Sequence, residues 1–171
     1  MTVRLLIVWH SRTRASEQLA FFAAQGAQEV LEELQLLSRC HVICKPATQT
    51  HADDLLQAAG YLFCAPENLG SLSGEMKAFF DRNYYAVLDQ LNGRPYSAMI
   101  SAGSAGTGAA QQLDSICTGW RLQRIYPTAI VLFDAQLPAD ILAPKTLSPQ
   151  AIAQAKELGG LLAAQLSLQL D

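Results

Sequence analysis

Short apolar runs alternate along this chain with longer stretches in which apolar residues return every three or four positions. Val3–Trp9 reads as a strand buried on both faces. Leu19, Phe22, Ala23, Ala27, Val30, Leu31 and Leu34 then recur at helical spacing and give one apolar face. His41–Cys44 reads as a short strand, and Ala52–Ala58 as a short helix entered through a turn at Thr50. Tyr61–Ala65 is a third buried strand, broken by Pro66. Met76, Phe79, Phe80, Tyr84, Val87 and Leu91 form a second strong stripe, opened by Ser73-Gly74. Tyr96–Ser101 is strand four, Gly108–Trp120 a helix and Thr128–Phe133 strand five. Pro149–Leu168 is a closing helix with Ile152, Ala155, Leu158, Leu162 and Leu166 on one side.

Continuous apolar strands separated by helices predict an α/β fold, a doubly wound parallel sheet with helices on both faces. Right-handed crossovers and five strands favour the order 2-1-3-4-5. Ligands in such sheets bind beyond the carboxyl ends of the strands, at the point where strand order reverses. The search for chemistry therefore narrows to the loops after strands one, three and four.

The first loop, His10-Ser11-Arg12-Thr13-Arg14-Ala15-Ser16, brings three hydroxyls and a run of backbone N–H groups to a helix start. That suits a phosphate dianion, which the helix dipole also favours. The plainer alternative is an ordinary capping loop closed by Ser16. The second loop, Pro66 to Gly74, is longer than a connection requires and holds two glycines. The third, Ser101 to Gly108, consists of small residues that let backbone approach a flat ligand, with simple flexibility as the alternative.

Composition removes whole classes. A chain of 171 residues is of one-domain size, and we expect a single domain over 1–171. Half the residues are hydrophobic and only 16% charged, which excludes a disordered chain and suggests surface covered by a partner or ligand. A net charge of −3 with no basic cluster argues against nucleic acid as a partner. The first apolar run is too short for a signal sequence or a membrane span. Cys40, Cys44, Cys64 and Cys117 contain no CxxC pair, and the histidines are scattered at 10, 41 and 51, so no metal site is expected. The cysteines read as small hydrophobes in a reducing cytoplasm.

These loops carry a resemblance. His10-Ser11-x-Thr13-x-x-Ser16 is similar to the phosphate loop of the flavodoxin-like NAD(P)H-dependent FMN reductases and quinone reductases. Pro66-Glu67-Asn68-x-Gly70-Ser71-x-Ser73-Gly74-x-x-Lys77-x-Phe79-x-Asp81-Arg82 resembles their second loop and helix, and 101–108 their third loop. The resemblance implies that Ser11, Thr13, Arg14, Ala15 and Ser16 hold the FMN phosphate. It implies that Pro66, Glu67, Asn68, Leu69 and Gly70 line the isoalloxazine ring, with Ser101, Gly103 and Ser104 near its pyrimidine edge. Arg14 stands where the family usually has glycine, so a loop of the family shape places it at positive φ. Asn68 stands where an aromatic residue or arginine is often found.

The implied activity is hydride transfer from NAD(P)H through FMN to a small-molecule acceptor such as a quinone. Separately, the apolar composition and Tyr84 and Tyr85 on the helix at 76–91 lead us to expect a homo-dimer or homo-tetramer. The flavin performs the hard step, so no side chain is expected as a catalytic acid or base. Glu67 and His10 are candidates for a proton donor, with capping or structural roles as the alternative. Two other readings stand beside it: a flavodoxin-type electron carrier, or a domain that has lost flavin binding and serves in assembly. Carriers sandwich their flavin between aromatics and are strongly acidic, whereas 66–74 and 101–108 contain no aromatic residue. A response-regulator receiver lacks its acidic pair here, with His10-Ser11 after strand one and Asp134, not lysine, after strand five. A hydrolase built on Ala102-Gly103-Ser104-Ala105-Gly106 lacks a histidine after the serine. Gly106-Thr107-Gly108 only begins a dinucleotide fingerprint, since Gln111 occupies its third small position.

Overall fold

A computed structural model describes residues 2–170. Its elements run β1 (Val3–Trp9), α1 (Ala15–Glu33), β2 (Cys40–Pro46), α2 (Ala52–Gln57), β3 (Gly60–Asn68), β4 (Ser71–Leu72) and α3 (Gly74–Val87). β5 (Pro95–Ala102), α4 (Thr107–Gly119), β6 (Gln123–Arg124), β7 (Ala129–Leu132), α5 (Pro138–Leu142) and α6 (Pro149–Ser167) follow. The parallel sheet has the order β2-β1-β3-β5-β6, and β7 also pairs with β5. This is the doubly wound arrangement expected, with its outer strand in two pieces.

Alternation along the strands divides the core. Leu6 and Val8 of β1 join Tyr61, Phe63, Ala98 and Ile100 beneath α2, α3 and α4. Val3, Leu5 and Ile7 join Leu62, Cys64 and Met99 beneath α1 and α6. The first layer is aromatic, with Phe80 packed 5.0–5.1 Å from Phe63, Phe79 and Trp120, all edge-on. The second depends on small residues. A Cβ on Gly26 would stand 2.1 Å from the Lys156 carbonyl oxygen, and one on Gly159 only 1.9 Å from that of Ala23. The α1 and α6 backbones therefore touch without intervening side chains, an approach open only to glycine.

Three details depart from the sequence reading. β3 does not stop at Pro66 but continues to Asn68, because β1 has already ended opposite Cys64 and the proline lies at an edge. The continuation forms a hairpin with β4 through Leu69 and Gly70, both at positive φ (53° and 77°), as a two-residue turn of this hand requires. The expected strand 128–133 is shorter, and β6 precedes it. Pro127 has no N–H to give β5, and the Ser97 hydroxyl instead donates to the Tyr126 carbonyl across the gap. The hydrophobic pattern does not predict helix α5, nor its capping by the Lys145 ammonium, which donates to the carbonyls of Asp140, Ile141 and Ala143.

Candidate functional site

The loops after β1, β3 and β5 meet at the carboxyl edge of the sheet, where β1 parts β2 from β3. In the first, Arg14 precedes α1 at φ 69°, ψ −2°, the left-handed conformation expected of the family's glycine position. No side chain caps this helix, so its first N–H groups have no partner from a capping residue. Ser16 is not the cap. It lies inside the helix, fully buried, and shares a 2.8 Å hydrogen bond with Ser101. The hydroxyls of these two sequence-predicted site residues are thus spent on each other, joining α1 to β5 in the interior. Ser11 and Thr13 are partly exposed on the loop, and Ala15 is buried at the first turn of α1. The guanidinium of Arg14 reaches toward Glu17 at 3.9 Å and remains 69% exposed.

A segment beyond the sheet supports this loop. The Lys145 N–H donates to the Thr13 carbonyl at 2.7 Å, and the Gln18 amide donates to the carbonyls of both Arg14 and Lys145. The bonds to Lys145 link residues more than a hundred positions apart, which no local pattern displays.

His10, at the end of β1, shares a 2.8 Å hydrogen bond through Nδ1 with the buried Ser73 hydroxyl. Its Nε2 lies 3.6 Å from Glu75 Oε2, and Arg12 donates to the other Glu75 oxygen at 3.0 Å. Burial pushes the His10 pKa down, Glu75 opposes this and Arg12 adds to it, so the neutral ring is favoured. The Glu75 pKa is lowered, first by its own backbone N–H, with His10 and Arg12 adding. The serine, imidazole and carboxylate are in composition like a nucleophile triad, but Ser73 is fully buried and offers no access to a substrate. The group is a brace between the first loop and α3.

Glu67 is committed as well. Its carboxylate accepts from the Gly106 N–H at 2.8 Å and from the Ala109 N–H at 3.0 Å, capping α4 from another loop. Both candidate proton donors therefore hold structural positions, the alternative open to them from the sequence. Gly103 and Gly108 permit close approaches: a Cβ there would meet the Ala135 carbonyl oxygen at 2.9 Å and that of Gly70 at 2.1 Å. Pro66 and Asn68 are partly exposed on the second loop, Leu69 and Gly70 are exposed at the hairpin tip, and Ser104 is exposed in the third. The three loops thus bring together the predicted residues except for the Ser16 and Ser101 hydroxyls, which face inward.

Two clefts of about 500 and 340 Å³ open at the opposite end, around Pro95. Their arginines are engaged within the protein: Arg4 with Gln57, Arg94 with three carbonyls of α2 and its exit, and Arg124 with Asp114. Among the described residues there is no cluster suited to a metal ion, and no helix is long and apolar enough to cross a membrane.

Known proteins agree with this architecture. A "flavodoxin" of Aquifex aeolicus is 28% identical over 115 residues, 67% of this chain and 58% of that protein. An "NAD(P)H dehydrogenase (quinone)" of Acidithiobacillus ferrooxidans is 27% identical over 129 residues, 67% of this chain and 64% of that protein. The chain spans about three-fifths of the length of these curated relatives. Among solved structures, an archaeal flavodoxin superposes with a TM-score of 0.74 at 15% identity, covering 96% of this chain and 99% of its own. A WrbA-like flavodoxin from Agrobacterium tumefaciens superposes at 0.71 with 14% identity, covering 98% and 99%. These two establish the flavodoxin-like fold. Residues 5–136 match the family described as NADPH-dependent FMN reductase, and the chain belongs to that family.

Proposed function

We propose that this protein binds one FMN at the three loops and oxidises NAD(P)H, passing the electrons to a small-molecule acceptor of the quinone type. The supporting observation is the composition of the second and third loops. The third consists of small residues, Glu67 of the second braces it, and no aromatic lid lies within 66–74 or 101–108 to cover a flavin face. An open face leaves room for a nicotinamide and then an acceptor to stack. The first loop fits a phosphate: it combines an uncapped helix start, the Ser11 and Thr13 hydroxyls and the Arg14 guanidinium, with no carboxylate between His10 and Ser16.

Bound FMN supplies the hydride chemistry itself. The chain's part is placement. Ser11, Thr13, Arg14 and the first N–H groups of α1, Ala15 among them, hold the phosphate, with Ser16 and Ser101 fixing α1 to β5 below. Pro66, Glu67, Asn68, Leu69 and Gly70 form one wall of the ring slot, and Gly103 and Ser104 the other. The relative named as a quinone dehydrogenase supports the acceptor class.

The test is a pair of titrations. Flavin fluorescence should be quenched as FMN is added to tens of micromolar protein, and the protein should turn over NAD(P)H only with both FMN and a quinone present. No fluorescence change would overturn the cofactor assignment. A holoprotein that ignores nicotinamide and accepts electrons only from a reductase is a carrier.

We further propose a single domain, a cytoplasmic location, supported by four free thiols, and a homo-oligomer, dimer or tetramer. Tyr84, Tyr85 and Leu88 are exposed together near the end of α3, with the two rings 5.2 Å apart, and Leu137, Ile141 and Leu142 are exposed around α5. Apolar and aromatic surface of this kind is characteristic of subunit interfaces. Light scattering that reports a monomer at micromolar concentration would reject the oligomer.

A further inference from the structure

Glu67 carries an inference that rests on the flavin reading but concerns the protein's own architecture. A carboxylate next to a redox cofactor invites a proton-donor role. Here each of its oxygens accepts a backbone N–H from the start of α4, at 2.8 and 3.0 Å. Two further contacts cross the same boundary. The Gln112 side chain on α4 accepts the Leu72 N–H at 2.7 Å, and Gly108 lies so close to the Gly70 carbonyl that only hydrogen fits between them. The β3–β4 hairpin and the start of α4 are thereby joined at three points, and Glu67 supplies the charged one.

The elements joined are the two walls of the ring slot. Gly106 is fully committed to the arrangement: at φ 86° it directs its N–H to Glu67, and a Cβ there would strike Ile130 at 2.5 Å. We propose that Glu67 is a positioning residue, setting the separation of the second and third loops so that the slot for the isoalloxazine exists before any flavin arrives. It neither donates a proton nor contacts the phosphate. The carboxylate occupies the α4 helix start, so that end of α4 is closed to the phosphates of FMN or of a nicotinamide.

This role separates ring from phosphate. Glu67→Ala should weaken FMN and riboflavin by the same factor, at least about tenfold, because losing the charged one of the three contacts between the walls loosens the ring slot and leaves the phosphate loop intact. Glu67→Gln keeps one acceptor oxygen and should fall between wild type and alanine, with the visible circular dichroism of its bound FMN intermediate as well. In the flavin-free protein, hydrogen exchange at the amides of Gly106 and Ala109 should accelerate in Glu67→Ala, while those of β1 stay protected. Faster exchange with unchanged affinity for both flavins would overturn the proposal, leaving a cap with no bearing on the ring. Weakening confined to FMN would overturn it too, by placing Glu67 in the phosphate site. Unchanged exchange at both amides would remove the clamp itself. A wild-type protein that binds neither flavin would end the functional reading and this proposal with it, a result distinct from each of the others.

Discussion

Replacing Arg14 by glycine should stabilise the protein and weaken its hold on FMN at the same time. At φ 69°, ψ −2° a residue with a Cβ is strained by about 1–2 kcal/mol relative to the ordinary helical region. Glycine removes that strain but returns about 0.4–1 kcal/mol to the unfolded chain as entropy. The side chain gives up little, since its approach to Glu17 is 3.9 Å long, mostly exposed, and worth about a few tenths of a kcal/mol at most. The net gain is about 0–1.6 kcal/mol, a rise in Tm of about 0–6 °C in a chain of this size. Arg14→Ala keeps the strained backbone and should leave Tm nearly unchanged. Both variants lack the guanidinium, so both should bind FMN less tightly and riboflavin about as well as wild type, because riboflavin has no phosphate. Thermal unfolding followed by far-ultraviolet circular dichroism, with fluorescence titrations of the two flavins, measures both effects. A lower Tm for Arg14→Gly would refute the strain argument, and equal weakening of FMN and riboflavin in Arg14→Ala would refute phosphate reading.

Gly26→Ala drives a methyl into the Lys156 carbonyl and should cost about 1–3 kcal/mol, lowering Tm by about 2–12 °C. Gly119→Ala, which meets nothing within 4 Å, should be neutral, and equal effects in the two variants would contradict the close-approach argument. Ser16→Ala leaves the Ser101 hydroxyl buried without its partner and should cost about 1–3 kcal/mol in urea unfolding, whereas adding Ser101→Ala should recover part of that cost. His10 makes stability depend on pH: its folded pKa lies below 6.5, so between that value and 6.5 the unfolded chain binds more protons and stability falls as pH is lowered. In His10→Gln this part of the pH dependence should flatten, and an unchanged slope of unfolding free energy against pH would remove His10 as its source.

The core of this fold is legible in the sequence because its signals are local. The stripe from Leu19 to Leu34 gives α1, and the run from Val3 to Trp9 gives β1, both within a few residues of their observed bounds. Helix α3 ends at Val87 rather than Leu91, since Leu88 leaves the helical region and Asp89 turns to φ 61°. Helix α5 has five residues and no buried face, so periodicity cannot reveal it; Pro138 at its first position is the one local sign. The three loops can be located from topology, but their internal bonds cannot. Ser16 meets Ser101 across 85 positions and His10 meets Ser73 across 63, and nothing near either residue in the sequence announces the partner. The place of Glu67 on the second loop follows from strand order, while its attachment to α4 depends on how two connections return to one edge of the sheet.

The close approach of the α1 and α6 backbones also sets an order of events during synthesis. Leu5, Ile7 and Leu19 belong to a layer that is completed by Ala155, Leu158 and Leu162, almost at the other end of the chain. At translation rates of about 5–20 residues per second, the interval between making β1 and making α6 is roughly 7–30 s. Throughout it, this face of the sheet has only α1 to cover it, and the glycine-bearing side of α1 has no helix against it. Such surface is what chaperones recognise and what aggregates when they are scarce. Removing α6 from the gene should therefore leave more than a shortened protein: a chain whose other face can close over its aromatic residues while this one, under α1 alone, stays half open to solvent.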